Sequence, residues 1–107
     1  KNEKDGVNKI MNKIVSNDDI QSSLKTLSGW EFSDNKLKRE LQFGSYMDGI
    51  EFVNSLAKKA EERGHHPDLV VGYCKVHVEF TSHDLGGVSE DCINMARYID
   101  SITTTVD

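Results

Sequence analysis

The sequence lacks any apolar run near the roughly 18 residues that a membrane-spanning helix requires, and no short apolar segment with a basic flank follows its start. Its net charge is −5. Its basic residues are scattered, so it has no dense positive stripe of the kind that neutralises nucleic acid phosphates. We therefore expect a soluble protein that has no membrane partner and no direct nucleic acid partner.

Cysteine and proline are also scarce, with two residues of the former and one of the latter. Cys74 and Cys92 lack the CxxC spacing of zinc and redox sites, and a chain with its own core needs no disulfide scaffold. We expect both to be reduced and to be buried as small hydrophobic residues. The sequence begins at Lys1 and not at methionine, which leaves open a longer precursor with a trimmed targeting segment.

Several catalytic motifs are missing. There is no GxSxG elbow, and Gly86-Gly87 lacks the other glycines and the lysine of a phosphate-binding loop. No HExxH occurs, and the adjacent side chains of His65 and His66 diverge in an extended chain, so we expect no bound metal. Proton transfer on a small, uncharged molecule is the chemistry that remains.

A length of 107 residues suits one hydrophobic core. We predict a single domain over residues 1–107, in which the polar residues 1–9 are frayed. Apolar residues at helical spacing and the capping segment 16–19 then predict one interrupted helix, or two short ones, carrying Ile10, Met11, Ile14, Val15, Ile20, Leu24 and Leu27. Ser28-Gly29 ends this region. Alternation on either side of Asp34-Asn35 predicts a β-hairpin.

A second helix is predicted from about Tyr46 to Arg63, with Ser45 as its cap and Gly64 at its end. Its predicted inner stripe is Met47, Ile50, Val53 or Phe52, Ala57 and Ala60. In the strand that follows, every second side chain faces the core (Cys74, Val76, Val78 and Phe80). The pattern also allows a shorter strand near 69–71. Ser89 precedes a last helix, with an inner stripe of Cys92, Met95 or Ala96, Ile99 and Ile102.

This order of helix, two strands, helix, two strands and helix predicts an α+β fold. Hairpins with helices over one face favour a two-layer sandwich with a mainly antiparallel sheet. The other sheet face would carry the opposite parity of the strand (Tyr73, Lys75, His77 and Glu79) and would meet water or another subunit.

All four histidines lie between positions 65 and 83. His77 falls on the polar face of a strand, where we expect a solvated residue. His65 and His66 precede Pro67, which forces an extended backbone at His66 and so holds the two rings in different directions. Imidazole groups titrate near neutrality, and a positioned one contributes typically ~10²–10⁴-fold as a general acid or base.

These residues resemble the signature of the pterin-4a-carbinolamine dehydratases. The resemblance rests on Glu61-Glu62-Arg63-Gly64-His65-His66-Pro67, then 73–78, then Thr81-Ser82-His83 and 86–89, and it extends from about 28 to 102. It implies a four-stranded antiparallel sheet with three helices on one face, α-β-β-α-β-β-α. It also implies the removal of water from 4a-hydroxytetrahydrobiopterin, giving quinonoid dihydropterin during tetrahydrobiopterin recycling, without a cofactor.

The resemblance implies a catalytic centre of His65, His66 and His83. We expect His65 to be the principal acid or base, His66 its counterpart for the other face of the pterin, and His83 the group that orients the hydroxyl. Glu61 either orients an imidazole or is a solvated carboxylate. The other expected substrate contacts are Pro67, Ser82, Asp84 and Leu85.

The sequence departs from the family pattern on the last helix, and the resemblance also implies partners. Cys92 stands where the family usually has an aspartate, which predicts altered capping without loss of activity, and we expect Trp30 to lie in the core. The resemblance implies a pterin substrate, a homodimer or homotetramer, and a cytoplasmic location with the nucleus as the alternative. The competing function is a dimerisation or transcriptional adaptor protein that binds a protein partner.

Overall fold

The computed structural model of the protein describes residues 12–103. Its elements alternate as the sequence predicts, which confirms the α+β fold class. The bounds are α1 (Asn17–Leu24), β1 (Glu31–Ser33), β2 (Lys36–Gln42), α2 (Tyr46–Arg63), β3 (Asp68–Val71), β4 (Lys75–Phe80) and α3 (Glu90–Thr103). The predicted frayed residues 1–9, together with Ile10 and Met11, lie outside the described residues.

The four strands form one antiparallel sheet in the order β1-β2-β4-β3. Asp34 and Asn35 both have positive φ, 54° and 65°, as the tight turn of the β1–β2 hairpin requires. Residues of one parity are buried beneath the three helices, and they include Leu37, Leu41, Val76, Val78 and Phe80. The sandwich therefore has two layers, and no helix within residues 12–103 covers the other sheet face, here called the open face.

The second helix, α2, begins and ends where capping chemistry predicts. The Ser45 hydroxyl accepts a hydrogen bond from the backbone N–H of Asp48 at 3.1 Å, and Gly64 ends the helix in the left-handed conformation with φ 64°. These are the usual roles of serine and glycine at helix termini. Because Gly64 reverses the local chain direction, the residues that follow it leave the helix at once.

The buried stripe of α2 differs from the predicted one. It consists of Gly49, Phe52, Leu56 and Ala60, whereas Met47 is 59% exposed and Ala57 is also exposed. Gly49 lies over Phe43 and Val76, within 3.6 Å of where its missing Cβ would be. Because Gly49 has no side chain, this side of the helix can pack closely against the sheet. The face that is buried therefore differs from the one that the larger apolar residues predict.

The predicted helix over Ile14 and Val15 is wrong. Ile14 forms an antiparallel bridge with Ser89, and the Val15 N–H donates to the Val88 carbonyl at 2.9 Å. This segment pairs with the chain that leads into α3, so its backbone hydrogen bonds are used outside a helix. The first helix begins only at Asn17, after the Ser16 cap.

The last helix and Trp30 close the core. The buried residues of α3 are Cys92, Ile93, Met95, Ala96 and Ile99, so Ile93 joins the predicted stripe while Ile102 is only partly buried. Trp30 is 7% exposed, and its indole N–H donates to the Asp100 carboxylate at 2.9 Å. No helix within residues 12–103 combines the length and the apolar character that crossing a membrane would need.

Candidate active site

The candidate site lies at the corner where α2 ends. The N–H of His65 donates to the carbonyl of Ala60 at 3.0 Å, and the N–H of Gly64 donates to that of Glu61 at 3.3 Å. These bonds satisfy the last carbonyls of the helix while the chain turns away. Two imidazole side chains thus follow a rigid helix terminus, as the sequence predicts.

The ring of His65 is held by contacts on two sides. It stacks on Phe80, with ring centroids 5.8 Å apart and planes inclined by 10°. Its Nε2 lies 3.2 Å from the Sγ of Cys92 on α3. The stack sets the plane of the ring and the hydrogen bond sets its rotation, so Nδ1 is the nitrogen left for other partners.

Cys92 belongs to a buried polar cluster that also contains Ser82 and Ser89. The two serine hydroxyls are hydrogen-bonded to each other. They lie 3.7 Å and 3.5 Å, respectively, from the Cys92 sulfur. Ser89 is fully buried and Ser82 is 7% exposed. A chain of polar contacts therefore runs from Ser82 through Cys92 to His65.

The electrostatics of the cluster favour charge on the imidazole. The hydrogen bond to Cys92 raises the pKa of His65, and burial only partly opposes it. Burial acts to raise the pKa of the Cys92 thiol, but hydrogen bonds from His65, Ser89 and Ser82 outweigh it, so that pKa is lowered. Both shifts follow from two titratable groups sharing one hydrogen bond in a poorly solvated place.

His66 has a different partner and a more exposed setting. Its Nε2 lies 2.8 Å from a carboxylate oxygen of Glu61, and both side chains are more than half exposed. Glu61 therefore contacts this ring and not that of His65; whether it acts as the predicted orienting group or as a solvated carboxylate stays a prediction. The two adjacent histidines therefore have separate partners on separate elements.

His83 lies in the turn that Ser82 anchors. The Ser82 carbonyl accepts hydrogen bonds from the N–H groups of Leu85, Gly86 and Gly87. His83, Asp84 and Leu85 are all exposed. Within residues 12–103 the His83 side chain has no hydrogen bond or ion pair. Its chain neighbour Ser82 contacts Cys92, which in turn contacts His65.

The remaining predicted residues divide between the corner and the open sheet face. Pro67 is partly exposed directly after the histidine pair. His77 belongs to β4 and lies 2.8 Å from Glu79 on the open face, opposite the face that carries Phe80. The structure therefore separates His77 from the other histidines.

A potential metal site is absent from the described residues, and a groove lies away from the corner. In the part of the chain that the structure describes, no three His, Cys, Asp or Glu side chains form a potential metal site. A groove of about 790 Å³ lies elsewhere, and its lining, which includes Arg39, Arg97 and Asp100, contains no histidine. The corner is the better candidate for a site of proton transfer, because it holds two imidazoles with separate partners and the pKa of His65 is shifted there.

Sequence reasoning missed the contact between Cys92 and His65. The two residues are 27 positions apart, and no motif joins them. One signal was present: Cys92 occupies the inner stripe of α3 at the position where the family resemblance places an aspartate. Cysteine, like aspartate, can accept a hydrogen bond, so this position could have indicated a polar contact.

The chain is similar to known proteins over most of its length. Residues 13–102 match the family model described as Pterin 4 alpha carbinolamine dehydratase. A relative from Nostoc punctiforme is 38% identical over 92 residues, which is 86% of this chain and 99% of the relative. A relative from Mycobacterium sp. strain KMS is 37% identical over 83% of this chain and 95% of its own. Both are provisionally named pterin-4-alpha-carbinolamine dehydratase.

Two solved structures resemble the fold. The crystal structure of a transcriptional coactivator/pterin dehydratase from Brucella melitensis has a TM-score of 0.79 and 29% identity, covering 82% of this chain and 96% of its own. A pterin dehydratase-like protein described as a RuBisCO assembly factor in the α-carboxysome has a TM-score of 0.56 and 27% identity, covering 67% and 83%.

Proposed function

The chain belongs to the pterin 4 alpha carbinolamine dehydratase family, and we propose that it removes water from 4a-hydroxytetrahydrobiopterin to give quinonoid dihydropterin. The observation that carries this proposal is the corner after α2, where His65 and His66 are held by different partners. Two imidazoles in fixed and different environments suit a reaction that needs an acid and a base together.

The proposed chemistry requires two proton transfers. An acid protonates the 4a-hydroxyl so that it leaves as water when the C4a–O bond breaks. A base takes the proton from N5, whose electrons form the new C=N bond. No cofactor enters this balance.

We assign His65 the role of principal acid, because the hydrogen bond to Cys92 raises its pKa and so favours the protonated ring near neutrality. With the Nε2–H of His66 directed to the Glu61 carboxylate, its Nδ1 is the nitrogen able to accept a proton. His66 is then the base, and the two roles exchange for a hydroxyl on the opposite pterin face. His83 orients the hydroxyl.

The other proposed substrate contacts surround this pair. Asp84 and Leu85 are exposed in the same turn as His83, where they can reach a bound pterin. Pro67 follows the histidines and walls the site. Ser82 supports the bound pterin by holding the turn of His83, because its hydroxyl is engaged with Ser89 and its backbone groups bond within the turn.

The setting of this activity is also a proposal. We place the protein in tetrahydrobiopterin recycling, as a homodimer or homotetramer in the cytoplasm or, alternatively, the nucleus. Both cysteines, Cys74 and Cys92, are free, which is typical of reducing compartments. Light scattering tests the oligomeric state, and cell fractionation tests the location.

The second candidate function is an adaptor protein without required catalysis. Support for it comes from the relatives in solved structures, of which one is called a transcriptional coactivator and the other an assembly factor. An adaptor would bind a protein partner whether or not His65 and His66 were present.

The test is dehydration of 4a-hydroxytetrahydrobiopterin, generated in situ and followed by absorbance. We expect the purified protein to accelerate it, and the double variant His65→Ala, His66→Ala to lose the acceleration. Wild-type protein that gives only the uncatalysed rate would end the enzymatic proposal. Partner binding that survives the double substitution in an inactive protein would then favour the adaptor.

A further inference from the structure

The sulfur of Cys92 has surroundings that hydrophobic packing does not explain. It is fully buried, yet three polar side chains lie against it: His65, Ser89 and Ser82. The other free cysteine, Cys74, is partly exposed and not buried as predicted, and no side-chain hydrogen bond joins it to another residue between 12 and 103. Buried cysteines usually behave as small hydrophobic residues with only weak hydrogen bonding, so this arrangement needs a different account.

We propose that Cys92 is a positioning residue for His65: its sulfur binds Nε2 and so aims Nδ1 at the substrate for proton transfer. This inference rests on the proposed dehydration, because it concerns how one histidine of that site is held. Cys92 itself touches no substrate in this account, and it acts only through the imidazole.

The geometry supports a positioning role. Phe80 stacks on one face of the His65 ring, which restrains its tilt but leaves rotation within the ring plane free. The contact between Nε2 and Sγ, at 3.2 Å, removes that freedom. A histidine held at one nitrogen presents the other in a fixed direction, which is the role that hydrogen-bonded partners of active-site histidines commonly have.

The charged groups around His65 leave Cys92 as its main electrostatic partner. Asp91 raises the pKa of His65 and Arg63 lowers it, and these two side chains are themselves paired at 3.1 Å. Their effects on this pKa therefore have opposite signs. Cys92 is the first cause of the raised pKa, so the protonation of His65 should follow changes at position 92.

The two serines extend the arrangement to the turn that carries His83. Their hydroxyls keep the Cys92 sulfur in a polar environment within the core. Ser82 also anchors the backbone of the His83 turn. The same cluster thus holds the acid, His65, and the loop of the residue proposed to orient the hydroxyl.

The test compares Cys92→Ala, Cys92→Ser and Cys92→Asp, with Cys74→Ala as the matched control. Each variant is checked for folding by circular dichroism, and kcat is measured across pH with 4a-hydroxytetrahydrobiopterin. We expect Cys92→Ala to lower kcat about tenfold, a fraction of what a positioned acid contributes. Cys92→Ser should restore part of the loss, since a hydroxyl can bond Nε2.

The pH profile distinguishes positioning from packing. Protonated His65 is the acid, so activity falls as pH rises through its pKa. In Cys92→Ala, which lacks the sulfur, this fall in activity should occur at lower pH. In Cys92→Asp, the carboxylate should bring the fall back to the wild-type pH or to a higher pH. A folded Cys92→Ala protein whose profile matches that of Cys74→Ala would overturn the inference.

An NMR titration of His65 separates this inference from the proposed function. The midpoint should fall in Cys92→Ala and stay unchanged in Cys74→Ala, whether or not the protein is a dehydratase. If the wild type proves inactive, the proposed function fails while a lowered midpoint still supports the contact. An unchanged midpoint in active protein overturns the inference and leaves the function standing.

Discussion

The imidazole ring of His65 lies almost parallel to the ring of Phe80, with 10° between their planes. Phe80 is fully buried at the end of β4, so the histidine is stacked on a part of the core that cannot move easily. A ring fixed in this way loses little freedom when it must meet a substrate. The precision of the site therefore depends on a hydrophobic residue outside it.

We expect Phe80→Leu to reduce activity more than its effect on folding implies. Leucine keeps most of the buried apolar volume, so the free energy of unfolding should fall by about 1–2 kcal/mol. It offers no flat face to His65, so kcat should also fall. Phe52→Leu is the matched control, because the ring of Phe52 packs at a tilt against Phe43 and not against a histidine. Equal kcat in the two variants would contradict this role.

Removal of the Glu61 carboxylate should affect catalysis mildly. The pair with His66 is exposed to solvent, and exposed pairs contribute about 0.2–1 kcal/mol. We therefore predict that Glu61→Ala lowers kcat by up to about fivefold, and that Glu61→Gln, which keeps an acceptor oxygen, lowers it less. Glu62→Ala is the control, since Glu62 pairs with Lys59. A greater loss in that control would refute the assignment.

The Ser82 hydroxyl should matter for stability. Ser82→Ala removes a buried hydrogen bond to Ser89, and we predict a loss of about 1–2 kcal/mol in the free energy of unfolding. Urea denaturation measures it, with Ser55→Ala on the exposed face of α2 as the control. If both substitutions have the same effect, the buried cluster contributes nothing to stability.

The carboxylate of Glu79 should make the stability of the protein depend on pH in the acid range. Its hydrogen bond with His77, aided by Lys36, lowers the pKa of its carboxyl from 4.5. A lowered pKa in the folded state stabilises the protein above pH 4.5, and this is lost as pH falls through the folded value. The advantage of wild type over Glu79→Gln, at most about 1 kcal/mol, should shrink between pH 6 and 3. Glu51→Gln, at an exposed position of α2, is the matched control, and the same trend in both variants would contradict the role given to Glu79.

The fold was predictable wherever local chemistry decides it. The turn at Asp34-Asn35, the Ser45 cap and the Gly64 terminus all depend on residues next to one another, and the structure has each of them. The phase of α2 was not predictable, because it depends on how closely Gly49 packs over Val76. The extended path of Ile14 was missed for a similar reason, since its partner Ser89 is distant in sequence.

The site shows the same division. The corner of His65 and His66 could be predicted from a helix terminus followed by Pro67. The contact of His65 with Cys92 could not, because it depends on how α3 packs beside the end of α2. The roles of the histidines in catalysis remain predictions.

The most direct test of the account compares two single histidine variants in the dehydration assay. His65 belongs to the proposed site, whereas His77 is bonded to Glu79 on the open sheet face. The account predicts that His65→Ala lowers kcat by about 10²-fold or more, and that His77→Ala leaves it within experimental error of wild type. Equal activity of the two folded variants would contradict the central claim.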